Sequence, residues 1–209
     1  MAMKRIYMSG EEFVQKLLDG EKNFSDVVLE PGFGLSRHER FPEIQKVLDE
    51  GATEDKPVFC ERADFTGLDA DGVNLPYLKA NGACFKQATF MEGKFESSEF
   101  ERCDFRYARL PQADMKACHF RDADFRQADL NLALLNSSLF SGANMAGANL
   151  LFVNLQAADI QGIVNLELAR AVETANFQFV SLGERERNII RMEMWAQQGK
   201  KFRLFGGAG

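Results

Sequence analysis

Histidine is nearly missing from this chain, with two in 209 residues. The four cysteines, Cys60, Cys84, Cys103 and Cys118, form no C-x-x-C pair, so zinc coordination and dithiol redox chemistry have little to draw on. No apolar run approaches the roughly 18–20 residues of a membrane span. The opening MAMKRIYMSGEE has no apolar core of a secretory signal, so no membrane association and a cytoplasmic location are expected. Basic charge is short as well. Lys and Arg number 25 against 31 Asp and Glu, a net charge of −6 with pI about 5.1, which argues against direct nucleic-acid binding through phosphate neutralisation. No Walker or dinucleotide glycine loop is present. Asp69-x-Asp71-Gly72 fails as a calcium loop, because Gly67 and Leu78 fall where it requires carboxylates. No metal and no cofactor are expected.

Phenylalanine is plentiful, 19 residues against 3 Tyr and 1 Trp, and it is ordered. Phe85, Phe90, Phe95, Phe100, Phe105 and Leu110 fall every fifth residue, a period belonging to neither helix nor strand. Counting every fifth position from Phe65 to Ile160 as a centre, 18 of 20 centres are Phe, Leu, Met or Ile. Two places earlier, 16 of 20 residues are Ala, Gly, Ser or Cys, the exceptions being Leu68, Val73, Leu78 and Val153. Where a centre shrinks to Ala70 or Ala80, the site two places before it grows to Leu68 or Leu78. Summed volume is conserved, as a close-packed interior of fixed cross-section demands. Both positions therefore point inward. Phe65, Phe85, Phe90, Phe95, Phe100, Phe105, Phe120, Phe125 and Phe140 are assigned to the core, not to a base-stacking surface. A five-residue unit with two inward side chains cannot close a core alone and must stack on copies of itself. Asp or Asn before many centres and Gly at many unit ends supply the turns.

The triplets ADF (63–65), ADM (113–115), ADF (123–125), ADL (128–130), ANM (143–145), ANL (148–150) and ADI (158–160) resemble the A(D/N)LXX consensus of the pentapeptide-repeat family. The resemblance covers about residues 58 to 160. It implies an all-β solenoid, a right-handed quadrilateral β-helix with four pentapeptides per coil, here about five coils and roughly 24 Å long at the ~4.8 Å strand spacing. Stacking at twenty residues then predicts columns such as Phe65, Phe85, Phe105, Phe125 and Met145.

The chain is expected to divide into an N-terminal helical cap (1–22), the repeat rod (23–182) and a C-terminal helix and tail (183–209). Ser9-Gly10-Glu11-Glu12 is a capping box that predicts a helix over 10–19. Phe24, Val27 and Leu29 look like a first partial coil. The frame is then lost across an insertion near 31–57, where Pro42, Ile44, Val47 and Leu48 suggest a short helix. It slips again in an irregular break near 163–173, after which Ala175/Phe177 and Val180/Leu182 restore the small–large pairing. Ser181-x-x-Glu184 is expected to start a helix reaching about Gln198, followed by a frayed tail.

Catalysis finds little footing. His119 precedes centre Phe120 and points outward while Cys118 points inward, so the two diverge. No catalytic residues are assigned, and the protein is read as a non-enzyme. An enzymatic reading would have to rest on Arg37, His38, Glu39 and Arg40 in the insertion, which also read as an ordinary solvated loop. Among the outward positions Leu132, Leu134, Leu139, Leu151 and Phe152 break the polar pattern, and Leu132, Leu134, Leu151 and Phe152 are the candidate partner-binding residues. Either the C-terminal segment or the insertion helix covers them, or they form a surface for a protein partner. A homodimer through this patch or through the C-terminal helix is one form of the second reading. The expected function is a non-enzymatic interaction or scaffold module with a protein partner of unknown identity. The alternative implied by the resemblance is a DNA mimic that binds gyrase, as some bacterial members do. Residues 58–165 hold 14 acidic and 10 basic side chains, a mixed field for such a mimic.

Overall fold

The computed structural model describes residues 5–205, with side chains through Met194. Over most of that length the chain runs parallel to itself at an interval of twenty residues. Single parallel bridges join Asp64 to Cys84, Cys84 to Asp104, Asp104 to Asp124 and Asp124 to Asn144, and three further series repeat the pattern five, ten and fifteen residues on. Each bridging residue immediately precedes a centre and donates its N–H to the coil below, as Asp104 does to Ala83 (3.0 Å). The centre donates to the coil above, as Phe105 does to Asp124 (2.8 Å). Backbone satisfaction thus comes from stacking, so neighbouring coils are obligatory for each other.

The sides of each coil are too short to register as strands. Among the described residues the extended elements are β1 (Ile6–Met8) and β2 (Val27–Leu29), a parallel pair with Tyr7 opposite Val28. Where an all-β solenoid is expected, the described residues have single bridges alternating with turns and two short strands, together with three α-helices. Two residues after each centre the backbone turns through positive φ. Gly occupies that site at Gly67, Gly72 and Gly82, but non-glycine residues hold it more often, including Arg102, Ala117 and Leu132 at φ 57°, 54° and 60°. Left-handed backbone costs an L-residue about 1–2 kcal/mol. The ladder on either side imposes it all the same.

The interior has the two inward positions expected. The nine assigned phenylalanines are all buried, and so are Ala70 and Ala80 with their enlarged partners Leu68 and Leu78. The columns are stacked rings. Phe85 lies 5.2 Å from Phe105 and Phe105 5.0 Å from Phe125, at 17° and 4°. Around one coil, successive rings meet edge to face, as do Phe90 and Phe95 (5.2 Å, 88°). Both geometries suit the aromatic quadrupole.

The lower, N-terminal end is closed by α1 (Gly10–Leu18). Ser9 Oγ accepts from the Glu12 N–H (3.2 Å), and Phe13, Val14 and Leu17 face the core, with Phe13 against Phe24 and Phe65. β1 extends the ladder below β2, a strand that IYM, lying outside the repeat, does not announce. The insertion replaces one side of the lowest coil. Gly34 still bridges Asp69, and Phe59 bridges Lys79, but at the intervening side stands α2 (Phe41–Gly51). The Gln45 side chain accepts from the Asn74 N–H (2.9 Å) and donates to its carbonyl (3.0 Å), standing in for a bridge.

The break expected near 163–173 is in fact a coil with two longer sides. The bridges Asn144–Val164, Asn149–Arg170, Asn154–Asn176 and Asp159–Ser181 continue all four series. One extra residue is absorbed on each of two sides, in the 3-10 turns Leu166–Leu168 and Val172–Thr174, which keep Leu166 and Val172 buried. Ser181 belongs to this ladder and not to a capping box. The helix α3 (Glu184–Phe205) instead has Glu186 Oε2 accepting from the Gly183 N–H (2.9 Å). It also continues past Gln198, through residues expected to fray. Arg185 ties its start to Glu167 (3.0 Å), and Ile190 is buried.

Candidate functional site: an apolar strip on the upper coils

The four candidate residues lie on one edge of the rod and its adjoining side. Leu132 and Phe152 occupy the same turn position one coil apart, 44% and 59% exposed. The Leu132 N–H donates to the Leu151 carbonyl (2.9 Å), and the Phe152 N–H to Thr174 Oγ1 (2.9 Å), so the edge is held from coil to coil. Leu151, in the same turn as Phe152, is half-buried. Leu134, which bridges Asp114 and Asn154 on the adjoining side, is also half-buried. Leu139 sits one side farther round, bridging His119 and Asp159, and does not join the strip. Both exposed side chains stand on left-handed backbone, Leu132 at φ 60° and Phe152 at φ 54°.

Nothing among the described residues covers Phe152 or Leu132. α2 lies at the opposite end, against residue 74, and α3 packs on the two 3-10 turns of the top coil. Flanking the strip, Asn131 and Asn136 each have a side-chain oxygen turned inward without a hydrogen-bond partner.

The charged flanks cancel locally. Asp104 holds Arg106 (2.7 Å), Asp114 holds Lys116 (2.8 Å) and Asp124 holds Arg126 (2.7 Å), each pair flanking one centre. Lys79 pairs with Glu99, and Arg62 with Asp26 (2.8 Å). Partial burial works against the Asp104 carboxylate, yet its bonds from Arg106 hold its pKa below the usual range.

The insertion cluster is structural in its contacts. Arg37 pairs with Asp69 (2.7 Å), which also accepts from the Ser36 hydroxyl. His38 Nε2 faces Glu11 of α1 (3.4 Å), His38 Nδ1 accepts from the Arg40 N–H (3.1 Å), and Arg40 pairs with Glu43 (3.0 Å). Cys118 is buried and His119 exposed, so they diverge. The inward thiols bond downward instead: Cys103 Sγ donates to the Ala80 carbonyl and Cys118 Sγ to that of Phe95, both at 3.0 Å. Desolvation pushes the Cys60 and Cys118 thiols up to about 12 and raises Cys103 as well. Among the described residues no group of three or more His, Cys, Asp or Glu side chains could hold a metal ion, and no helix is long and apolar enough to cross a membrane.

A chain bridged to itself every twenty residues around paired inward side chains defines a stacked-repeat protein. The family model described as "Pentapeptide repeats (8 copies)" matches residues 98–136 and 125–162, so this segment of the chain carries pentapeptide repeats. Among solved structures it is similar to full-length QnrB1, a plasmid-mediated fluoroquinolone resistance protein, at 14% identity, covering 91% of this chain and 97% of that one with a TM-score of 0.41. A pentapeptide repeat protein of the Arabidopsis thaliana thylakoid lumen aligns at 25% identity over 49% of this chain and 68% of its own, TM-score 0.30. HetL of the cyanobacterium Nostoc sp., involved in heterocyst differentiation regulation, aligns at 18% over 78% and 75%, TM-score 0.28. No curated protein matches the chain.

Proposed function

We propose that the protein is a non-enzymatic interaction module. A right-handed quadrilateral β-helix over 23–182, between an N-terminal cap (1–22) and a C-terminal helical segment (183–209), presents Leu132, Leu134, Leu151 and Phe152 to a protein partner. One observation carries this reading. Phe152 and Leu132 are stacked and exposed on a turn column that elsewhere holds Gly72, Glu92 and Gln112, and on backbone that penalises a bulky side chain. Their exposed surface adds nothing to the core, while a partner that buries it gains about 25 cal/mol per Å² of apolar area. The strip is small, which fits a weak or transient interface better than an obligate one.

The test compares wild type with Phe152→Asp and Leu132→Asp in affinity capture from the native host and in sedimentation for self-association. Loss of a captured protein or of self-association, with an unchanged melting curve, is the expected result. Equal behaviour of all three proteins would remove the strip from the binding surface. The gyrase-binding alternative draws little support from the flanks, where Asp104, Asp114 and Asp124 are each paired with an arginine or lysine of the same turn. A supercoiling assay with and without quinolone, unaffected at about micromolar protein, would end it.

A further inference from the structure

The core is thinnest at the lower end of the rod. In the first full coil two of the four centres are alanine, Ala70 and Ala80, and Leu68, Ala70, Leu75 and Leu78 all border a remaining void. α1 and α2 close this coil from below. Above them remains a cavity of about 50 Å³ whose wall is apolar throughout, bordered by Phe13 and Leu17 from α1, Leu48 from α2, and Ala70, Phe85 and Phe90 from the coils. Interiors packed at native density leave few voids larger than a water molecule. A void without polar partners stays dry and admits apolar solutes instead.

The cavity also has a route to the surface. A shallow recess between the end of α1 and α2 shares Leu17, Leu48 and Val58 with the cavity wall, so the two spaces adjoin at these side chains. Lys22 spans the mouth of the recess. Its ammonium donates to the Gly51 carbonyl at the end of α2 and to the Lys56 carbonyl (3.4 Å), where the helix macrodipole favours a cation. The insertion, which contributes α2, thereby supplies both a wall of the cavity and one side of its entrance.

We propose that this cavity is a binding site for a small, uncharged solute without hydrogen-bonding groups, of the size of a xenon atom or a short alkane. The solute enters between α1 and α2 past Leu17, Leu48 and Val58, and Lys22 latches the entrance. No part of this depends on the strip at Leu132 and Phe152.

The test is methyl NMR of the full chain under rising xenon pressure. Saturable shifts are expected at the methyl groups of Leu17, Leu48, Leu68 and Val73, with none at Leu130, Leu135 and Leu150 on the upper coils. Ala70→Leu should fill the space and abolish the saturable shifts, and Ala70→Val serves the same end if the larger side chain prevents folding. Lys22→Ala should leave the saturation intact and speed exchange between free and occupied states; unchanged exchange would overturn the latch. Shifts that grow linearly at all methyls without saturating would overturn the site. So would saturable shifts that persist at Leu17 and Leu48 in a folded Ala70 variant.

Discussion

Replacing Phe105 with alanine tests the stacked-ring interior most directly. Phe105 is 1% exposed, stacked on Phe85 below and Phe125 above, with Phe100 at 5.5 Å and Phe120 at 6.2 Å edge-on. Truncating a buried phenylalanine costs about 3–5 kcal/mol, and how far the surroundings collapse sets the position in that range. Here collapse is blocked, because the coil spacing is fixed by the bridges on each side. Lost ring contacts weigh toward the same, upper end of the range, so about 5 kcal/mol is expected for Phe105→Ala. Urea unfolding followed by far-UV circular dichroism measures it. Tyr107→Ala, in the next turn and 55% exposed, is the control and should stay within about 0.5 kcal/mol. A Phe105→Ala cost below about 2 kcal/mol would show that the coils close up around a missing ring, and would refute a rigid core of fixed cross-section.

Three further outcomes are expected. Ala117→Gly relieves left-handed strain of about 1–2 kcal/mol at φ 54° against a glycine entropy cost of about 0.5–1 kcal/mol, so urea melts should show net stabilisation of up to about 1.5 kcal/mol. Ser138 is fully buried, accepting from the Cys118 N–H (3.1 Å) and donating to the Met115 carbonyl (2.8 Å). Ser138→Ala leaves both unpaired at a cost of about 2–4 kcal/mol in the same melts, and Ser138→Cys should recover part of it by the downward bond Cys118 already makes. In native protein a disulfide reagent should titrate the half-buried Cys84 first, since burial raises the pKa of Cys60, Cys103 and Cys118 and keeps their thiolates scarce. A second fast thiol before unfolding would contradict that burial.

The inward pair was legible because fixed volume forces compensation that a single chain displays, as Leu68/Ala70 and Leu78/Ala80 do. What escaped the sequence depends on contacts between distant segments or on a change of period. Gln45 completes the lowest coil through a side-chain amide on Asn74, and no local pattern encodes that partner. The top coil did leave a signal at a different period: Leu166 and Val172, Glu167 and Glu173, and Ala169 and Ala175 are each six apart, matching the two enlarged sides. A search for fives passes over it. In the strip, the outward non-polar residues were readable by position, but the half-burial of Leu134 and Leu151 was not, because it depends on the neighbouring turns.

The regularity of the ladder also constrains where recognition can reside. Hydrogen bonds between coils use backbone groups alone at most positions, so outward side chains are released from the task of holding the rod together. Ion pairs formed two residues apart, Asp104–Arg106, Asp114–Lys116 and Asp124–Arg126, cancel charge within single turns. Fields from such close pairs fall away within about a Debye length, near 8 Å at physiological salt. Long-range electrostatic steering is therefore weak along these flanks, and a partner of the proposed kind would be selected mainly by short-range apolar contact. Phe152, 59% exposed and seated beside Leu151 one coil above Leu132, is the most exposed apolar side chain of the strip and the one such contact would bury first.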